Sequence, residues 1–368
     1  MQEIEIIAIL ALLVRKRRKE KKFQRLMRHP LTDKRHIFGH YYTQHNELKN
    51  QTSRETFGTQ EHLQAMRPPI TSKNSCPIHP EEKLLVTIRI QPVKLAFDVF
   101  KPSDHDESNS PPVILLHGIT RSKERWSSIQ QKLADSTKRL VYALDARNHG
   151  DSEKSDLFNF NAITVDVKHF MDTHKISKAS FIGHSMGGLA AMELALIAPE
   201  RVEKIVIEDV SPKEPVPELY YIFGAMIEEQ IDCFEHSTNA DTEASLNQKL
   251  RECIYRTVPM IPDEDLEVIG KIEFPMKKKE NGFKPLADLK CVLKAVQSPP
   301  ICIFPNDKVF DGDALFIYGC QSNFTVIEDE DLILKYFPKA KFYGFETAGH
   351  EICSRYPSQF LDKVCNFL

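Results

Sequence analysis

The sequence predicts an α/β fold: a mostly parallel β-sheet with helices on both faces. Short, continuous apolar runs recur along the chain, and helix-length amphipathic stretches lie between most of them, most clearly at 123–135, 162–174 and 186–198. Continuous apolar runs are typical of strands that are covered on both sides, as in parallel sheets. Ligands of such sheets bind beyond the carboxyl ends of the strands, so the residues directly after each run are the candidates for chemistry.

The predicted strands follow one another in a regular order along most of the chain. They cover residues 84–90, 95–100, 113–117, 140–144, 179–182, 204–208, 314–318 and 341–345. The first two are expected to form a hairpin. After Asp209 the alternation of strands and helices stops until Ala314, which predicts an inserted, largely helical cap at about 213–310.

One apolar stripe within the predicted cap has helical spacing. Its members fall at i, i+3, i+4, i+7 and i+8, and they are Leu219, Ile222, Phe223, Met226 and Ile227. Such a stripe is typical of one face of an amphipathic helix. It either packs the cap onto the sheet or lines an acyl-binding pocket, and both roles are compatible.

Charge divides the 368-residue chain, whose net charge is −3, into two unequal parts. Residues 1–50 hold 12 basic and 5 acidic residues, whereas the remainder holds 37 basic and 47 acidic residues. The acidic balance of the larger part argues against nucleic acid as its ligand, because phosphates are bound by Lys and Arg. We therefore divide the chain into a basic, largely irregular arm and linker at 1–83 and an α/β domain at 84–368.

The arm begins with an apolar run at 4–14, which a basic cluster at 15–19 follows. The run is too short to span a bilayer, which takes about 20 residues. Its order is also the reverse of a secretory signal. The arm is therefore either an anchor or nuclear address, or a solvated, partly helical extension.

The eight cysteines form no C-x-x-C pair. We expect reduced thiols in a reducing compartment, and no metal site.

Residues 183–187 read G-H-S-M-G and fit the G-x-S-x-G pattern. They follow a predicted strand and open a predicted helix, which is the context that this motif requires. The sharp turn would expose the hydroxyl of Ser185 to the crevice, and the glycines remove side chains that would clash. Ser185 is the predicted nucleophile.

A serine nucleophile needs a base and an acid that orients the base. His350 follows the last predicted strand and is the predicted base. The loop after the penultimate strand, 319–324, contains no carboxylate, so the acid is assigned to Asp209 at the end of the preceding strand, with Asp288 in the cap as the alternative. Glu208 is expected to face away from the crevice because neighbours on a strand alternate.

The oxyanion of an acyl-transfer intermediate needs backbone donors. The N–H of Met186, directly after the nucleophile, is one predicted donor. The N–H of Ile119, in the loop after the strand at 113–117, is the other, and Gly118 lets this backbone approach closely.

Four motifs resemble the alpha/beta-hydrolase domain-containing protein 11 family and its bacterial esterase relatives. They are L-H-G at 116–118 with S-K at 122–123, D-A-R-N-H-G-D-S at 145–152, G-H-S-M-G-G at 183–188 and D-V-S-P at 209–212. The resemblance covers about 84–368 and implies the alpha/beta-hydrolase fold and serine ester hydrolysis, with diacylglycerol-type lipids as substrates and a mitochondrial location. It also supports Asp209 as the acid. Two positions depart from the family: Leu189 stands where it tends to have Lys, and Glu351 where it has Trp.

The first 50 or so residues resemble a different family. The apolar and basic runs, with His29-Pro30 and Phe38-Gly39, are similar to the amino-terminal segment of Harbinger-type transposase-derived nucleases. No nuclease core with its carboxylates follows. We interpret this segment as a transposon-derived exon or a mis-joined gene model.

Three functions compete at this point. The first is a serine hydrolase that cleaves carboxylic esters without a cofactor or metal, with a small-molecule or lipid ester as substrate and peripheral contact with a membrane. The second is a non-catalytic or dual-role partner protein that uses the fold as a scaffold. The third is nucleic-acid binding through residues 15–35. The location is mitochondrial by resemblance, with the cytoplasm as the alternative.

Overall fold

A computed structural model describes residues 90–104, 109–213, 217–257, 273–297, 304–305, 307–322 and 324–368. The basic arm, its resemblance to transposase-derived nucleases and nearly all of the predicted strand at 84–90 lie outside these residues. The fold below is therefore that of the predicted α/β domain.

A seven-stranded sheet forms the centre of this domain. Its strands are β1 Phe97–Phe100, β2 Val113–Leu116, β3 Val141–Leu144, β4 Ala179–His184, β5 Val202–Glu208, β8 Asp313–Gly319 and β9 Ala340–Phe345. Their order in the sheet is β1-β3-β2-β4-β5-β8-β9. β1 pairs antiparallel with β3, and every other pair is parallel. The predicted fold class is confirmed, and each strand predicted between 95 and 345 is present.

Helices cover both faces of the sheet. On one face, α2 (Phe160–Thr173), α3 (Met186–Ile197) and α7 (Glu330–Tyr336) contribute to one apolar cluster. On the other face, α1 (Gln130–Thr137) and the last helix, α9 (Pro357–Phe367), contribute Leu133 and Phe360 to a second cluster. A short helix, α8 (Ile352–Arg355), precedes α9. β2 is buried along its whole length, which explains why its sequence is apolar at every position.

The predicted helix at 123–135 is divided in the structure. A 3-10 turn, Lys123–Trp126, precedes α1. The backbone N–H of Lys123 donates to Asp145 Oδ1 at 2.8 Å, and its Nζ lies 3.0 Å from Asp145 Oδ2. Because these contacts attach the turn to the end of β3, it cannot continue as one straight helix into α1.

Three helices and one small hairpin make up the part of the cap that the structure describes. They are α4 Pro217–Glu235, α5 Glu243–Thr257, β6 Met276–Lys278, β7 Phe283–Pro285 and α6 Leu289–Gln297. The hairpin was not predicted, because three residues per strand are too few to show alternation. Ile227, Phe223 and Met226 of the apolar stripe pack within the cap's apolar cluster, which supports the packing role. The side chains of Leu219 and Ile222 lie outside the described part.

Candidate active site

Ser185 lies at the junction of β4 and α3. Its φ of 51° and ψ of −116° are unusual for a residue with a side chain. The turn is pressed against its neighbours: a Cβ at Gly187 would lie 2.3 Å from the Leu116 carbonyl oxygen, and one at Gly183 would lie 2.4 Å from the Gly187 carbonyl oxygen. The two glycines of the motif are therefore required by close backbone contact.

Asp209 and His350 are in direct contact. Asp209 follows β5 with a φ of 54°, and its side chain is fully buried. Its Oδ2 lies 2.7 Å from His350 Nδ1. Because the carboxylate can only accept, Nδ1 carries the proton, and Nε2 is left unprotonated in the neutral ring.

Two further donors hold the Asp209 carboxylate. The backbone N–H of Gly319 donates to Oδ1 at 2.9 Å, and the hydroxyl of Ser322 donates to Oδ2 at 2.5 Å. Gly319 is the last residue of β8, and Ser322 lies in the loop after it, within the stretch 319–324 in which a carboxylate was sought. Sequence reasoning missed Ser322 because it looked there for an acid, although a hydroxyl in that loop was the available signal.

The other two carboxylates considered from the sequence lie elsewhere. Asp288 Oδ2 is 3.5 Å from Lys154 Nζ, and its Oδ1 accepts the backbone N–H of Cys291 at the start of α6. Glu208 Oε1 accepts from Arg125 at 2.9 Å and from the backbone N–H of Cys353 at 2.8 Å. Of the three carboxylates considered from the sequence, Asp209 is the one that contacts His350.

Aromatic rings surround the imidazole of His350. The ring of Phe324 stacks on it with centroids 4.2 Å apart and an angle of 18°. The ring of His184, the residue before Ser185, lies 4.5 Å away, and its Nε2 donates to the His350 carbonyl oxygen at 3.2 Å. Phe223 of the cap stacks on Phe324 at 6.4 Å. These contacts leave the ring little freedom to turn, and none of them was foreseen from the sequence.

The loop after β2 carries the predicted donor Ile119 and lies beside the serine. A Cβ at Gly118 would be 3.4 Å from Ser185 Cβ. Ile119 packs against both the sheet cluster and the cap cluster. Met186, the other predicted donor, is the first residue of α3.

Two buried histidines fix this loop. His117 Nε2 accepts the Ala146 N–H at 3.0 Å, and its Nδ1 donates to the Gly118 carbonyl at 2.7 Å. His149 Nε2 accepts the Thr120 N–H at 3.2 Å. Burial lowers the pKa of His117 to about 4 and, with the neighbouring His117, that of His149 to about 3. Both rings are therefore neutral near neutral pH.

Four charged residues, two of them buried and two partly buried, meet at Glu351, the residue after His350. Glu351 Oε1 is 2.9 Å from Arg121, and its Oε2 is 3.2 Å from Arg125, which also pairs with Glu208. Burial opposes ionisation of Glu351, but Arg121 and Arg125 outweigh it and hold the pKa of Glu351 well below its ordinary value. Burial raises the pKa of Glu208 against the opposing effect of Arg125. We call these four residues the charge cluster.

Among the residues that the structure describes, no group of three or more His, Cys, Asp or Glu side chains could hold a metal ion. The same part of the chain contains no helix that is long and apolar enough to cross a membrane.

The arrangement of strand, sharp turn and helix around Ser185 matches a known family. The model of the alpha/beta hydrolase fold family matches residues 111–354. The chain belongs to the alpha/beta hydrolase fold family. An abhydrolase domain-containing protein of Schizosaccharomyces pombe is 32% identical over 76% of this chain and 98% of its own length. The sn-1-specific diacylglycerol lipase ABHD11 of Xenopus tropicalis is 31% identical over 75% and 82%, which confirms the predicted resemblance to that branch.

One further relative is named as an acetyltransferase, and one similar solved structure is named as an esterase. Ethanol acetyltransferase 1 of Cyberlindnera fabianii is 30% identical over 75% of this chain and 86% of its own length. Among solved structures, a marine microorganism esterase superposes with a TM-score of 0.62 and 26% identity, over 75% of this chain and all of its own.

Proposed function

We propose that this hydrolase cleaves carboxylic esters through an acyl-enzyme on Ser185. The observation that carries the proposal is the 2.7 Å contact between His350 Nδ1 and Asp209 Oδ2, at the carboxyl edge of the sheet where Ser185 forms its strained turn. A serine hydroxyl is a weak nucleophile, and a histidine held in this tautomer is the base that activates it.

The proposed reaction has two halves. Ser185 Oγ attacks the ester carbonyl carbon while its proton passes to His350 Nε2, and the N–H groups of Ile119 and Met186 stabilise the oxyanion. The intermediate collapses, the carbon–oxygen bond to the alcohol breaks, and His350 returns the proton to the leaving alcohol. Water then attacks the acyl-enzyme by the same route and releases the acid. Asp209 orients His350 and stabilises its charged form throughout.

We propose lipid acyl esters such as diacylglycerol as the substrate class. Two observations support it. A relative that is 31% identical is named as an sn-1-specific diacylglycerol lipase. The apolar cluster of the cap also reaches Ile119, beside the proposed oxyanion site, so an acyl chain would meet apolar side chains there.

The test is turnover of p-nitrophenyl esters and diacylglycerols, together with labelling by a fluorophosphonate probe. We expect labelling and turnover that Ser185→Ala abolishes. The matched control is Ser180→Ala, which removes a buried hydroxyl from the same strand and should keep both activities. If the folded wild-type chain is neither labelled nor active, the proposal is wrong and the scaffold hypothesis takes its place.

A second candidate is acyl transfer to an alcohol. It is favoured by the relative named ethanol acetyltransferase 1. An alcohol would attack the acyl-enzyme in place of water, and His350 would take the alcohol's proton. Measuring the ratio of ester to free acid formed as ethanol is added separates the two: a rise in ester at unchanged total turnover supports transfer, and acid alone supports hydrolysis.

Two parts of the proposal concern where the enzyme works. A lipid substrate implies peripheral contact with membranes, which co-sedimentation with diacylglycerol-containing vesicles would test. The resemblance implies a mitochondrial location, with the cytoplasm as the alternative, and fractionation of the source cells separates them.

A further inference from the structure

The charge cluster connects the elements that carry the proposed base, its acid and one of the two predicted oxyanion donors. Glu351 directly follows His350, and Glu208 directly precedes Asp209. Arg121 lies two residues after Ile119 in the loop after β2. One set of ion pairs therefore joins the loop of the base, the end of β5 and the predicted oxyanion loop.

The ion pairs of the charge cluster are largely shielded from water. The side chains of Arg125 and Glu208 are 3% and 0% exposed, and those of Arg121 and Glu351 are 15% and 12% exposed. At such sites water replaces a lost partner poorly, so breaking one pair leaves an uncompensated charge. This shielding distinguishes the charge cluster from a surface salt bridge, which contributes little to stability.

Arg121 also reaches the cap. Its NH1 donates to the Glu273 carbonyl oxygen at 3.1 Å, and its guanidinium lies 5.7 Å from the ring of Phe274.

We propose that Glu351 is a positioning residue: through Arg121 and Arg125 it fixes the backbone that carries His350 and ties it to the oxyanion loop. This inference rests on the proposed function of Ser185 and His350. Glu351 itself takes no part in proton transfer. Its role is to keep the imidazole at the distance and angle that the reaction needs, where a misplacement of about 1 Å can cost about 100-fold in rate.

The test compares Glu351→Gln with Glu203→Gln in the full chain. Glu203 forms a comparable half-buried pair, with Arg139 at 2.6 Å, near the opposite end of β5. We expect Glu351→Gln to lower kcat on a p-nitrophenyl ester about 10- to 100-fold with little change in KM, whereas Glu203→Gln affects only stability. Equal kcat in the two variants would overturn the proposal.

Arg121→Gln is the second variant and replaces the first if Glu351→Gln does not fold. In Arg121→Gln, Arg125 still neutralises Glu351. Its kcat should also fall. The double variant should be no slower than the slower single one, since both changes break the same connection. Additive losses would mean that the two residues act independently and would contradict the proposal.

A spectroscopic signal keeps this inference separate from the proposed function. The His350 Nδ1 proton in its bond to Asp209 should give a downfield proton resonance, identified by its loss in Asp209→Ala. We expect this resonance to shift or broaden in Glu351→Gln and not in Glu203→Gln. An unchanged resonance overturns the positioning role even if the enzyme is active. A changed resonance in a chain without ester turnover supports positioning and refutes the esterase proposal.

Discussion

The two neutral histidines beneath the oxyanion loop predict that the fold loses stability in mild acid. Each Nε2 accepts a backbone N–H, from Ala146 for His117 and from Thr120 for His149. A second proton on either ring would convert Nε2 from an acceptor into a donor. That donor would then face the backbone N–H, which is also a donor. Burial resists this proton, so the pKa is about 4 for His117 and about 3 for His149.

The magnitude follows from the difference between folded and unfolded pKa values. An unfolded histidine titrates near ~6.5, so between that pH and the folded pKa the unfolded chain binds more protons than the folded one. The free energy of unfolding therefore falls as the pH falls through this window, towards about 4 for His117 and about 3 for His149. From about pH 7 to 4.5, each ring should lower the free energy of unfolding by about 2–3 kcal/mol.

The assay is urea unfolding at these two pH values for the wild type and His149→Gln, whose amide oxygen can accept the Thr120 N–H. The loss on acidification should be about 2–3 kcal/mol smaller in the variant, because all other titrating groups are shared. Exposed His169→Gln is the control and should behave as the wild type. The same acid loss in the wild type and His149→Gln would refute the reasoning.

Three substitutions test other contacts of the site. Ser322→Ala removes one donor to the Asp209 carboxylate and should lower the free energy of unfolding by about 1.5–3 kcal/mol, measured in urea; no loss would show that the bond is absent in solution. Asp209→Asn should lower kcat by about 10⁴-fold while Asp288→Asn keeps ester turnover, and the reverse result would exchange the two assignments. Gly187→Ala places a Cβ 2.3 Å from a backbone carbonyl oxygen of β2 and should lower the melting temperature or the soluble yield. Gly224→Ala is the control and should change neither, because its Cβ would have its nearest neighbour at 4.0 Å. Equal melting temperatures would contradict that distinction.

The sheet was predictable from the sequence because its signals are local. A continuous apolar run defines each parallel strand, and the chemistry-bearing residues come directly after runs. That is why Ser185, Asp209 and His350 could be named before any distance was known. Their catalytic roles remain predictions, but the structure brings Asp209 to His350 as the strand pattern requires.

The contacts that surround the site could not be predicted in this way. Arg121 and Glu351 are 230 positions apart in the chain, and Ser322 and Asp209 are 113 apart. No periodicity encodes which charges or donors meet across such separations. The divided helix at 123–135 has the same origin, since its interruption comes from a contact with Asp145 rather than from a helix-breaking residue.

Ser185 and Asp209, at the ends of neighbouring strands, both have φ values above 50°. Residues with side chains are disfavoured there by about 1–3 kcal/mol each, whereas glycine is not. A glycine at position 185 would thus be expected to give a more stable protein without a hydroxyl. The strain at position 185 is a local cost of holding a hydroxyl at this turn, and the proposed nucleophilic role of Ser185 would give that cost a function.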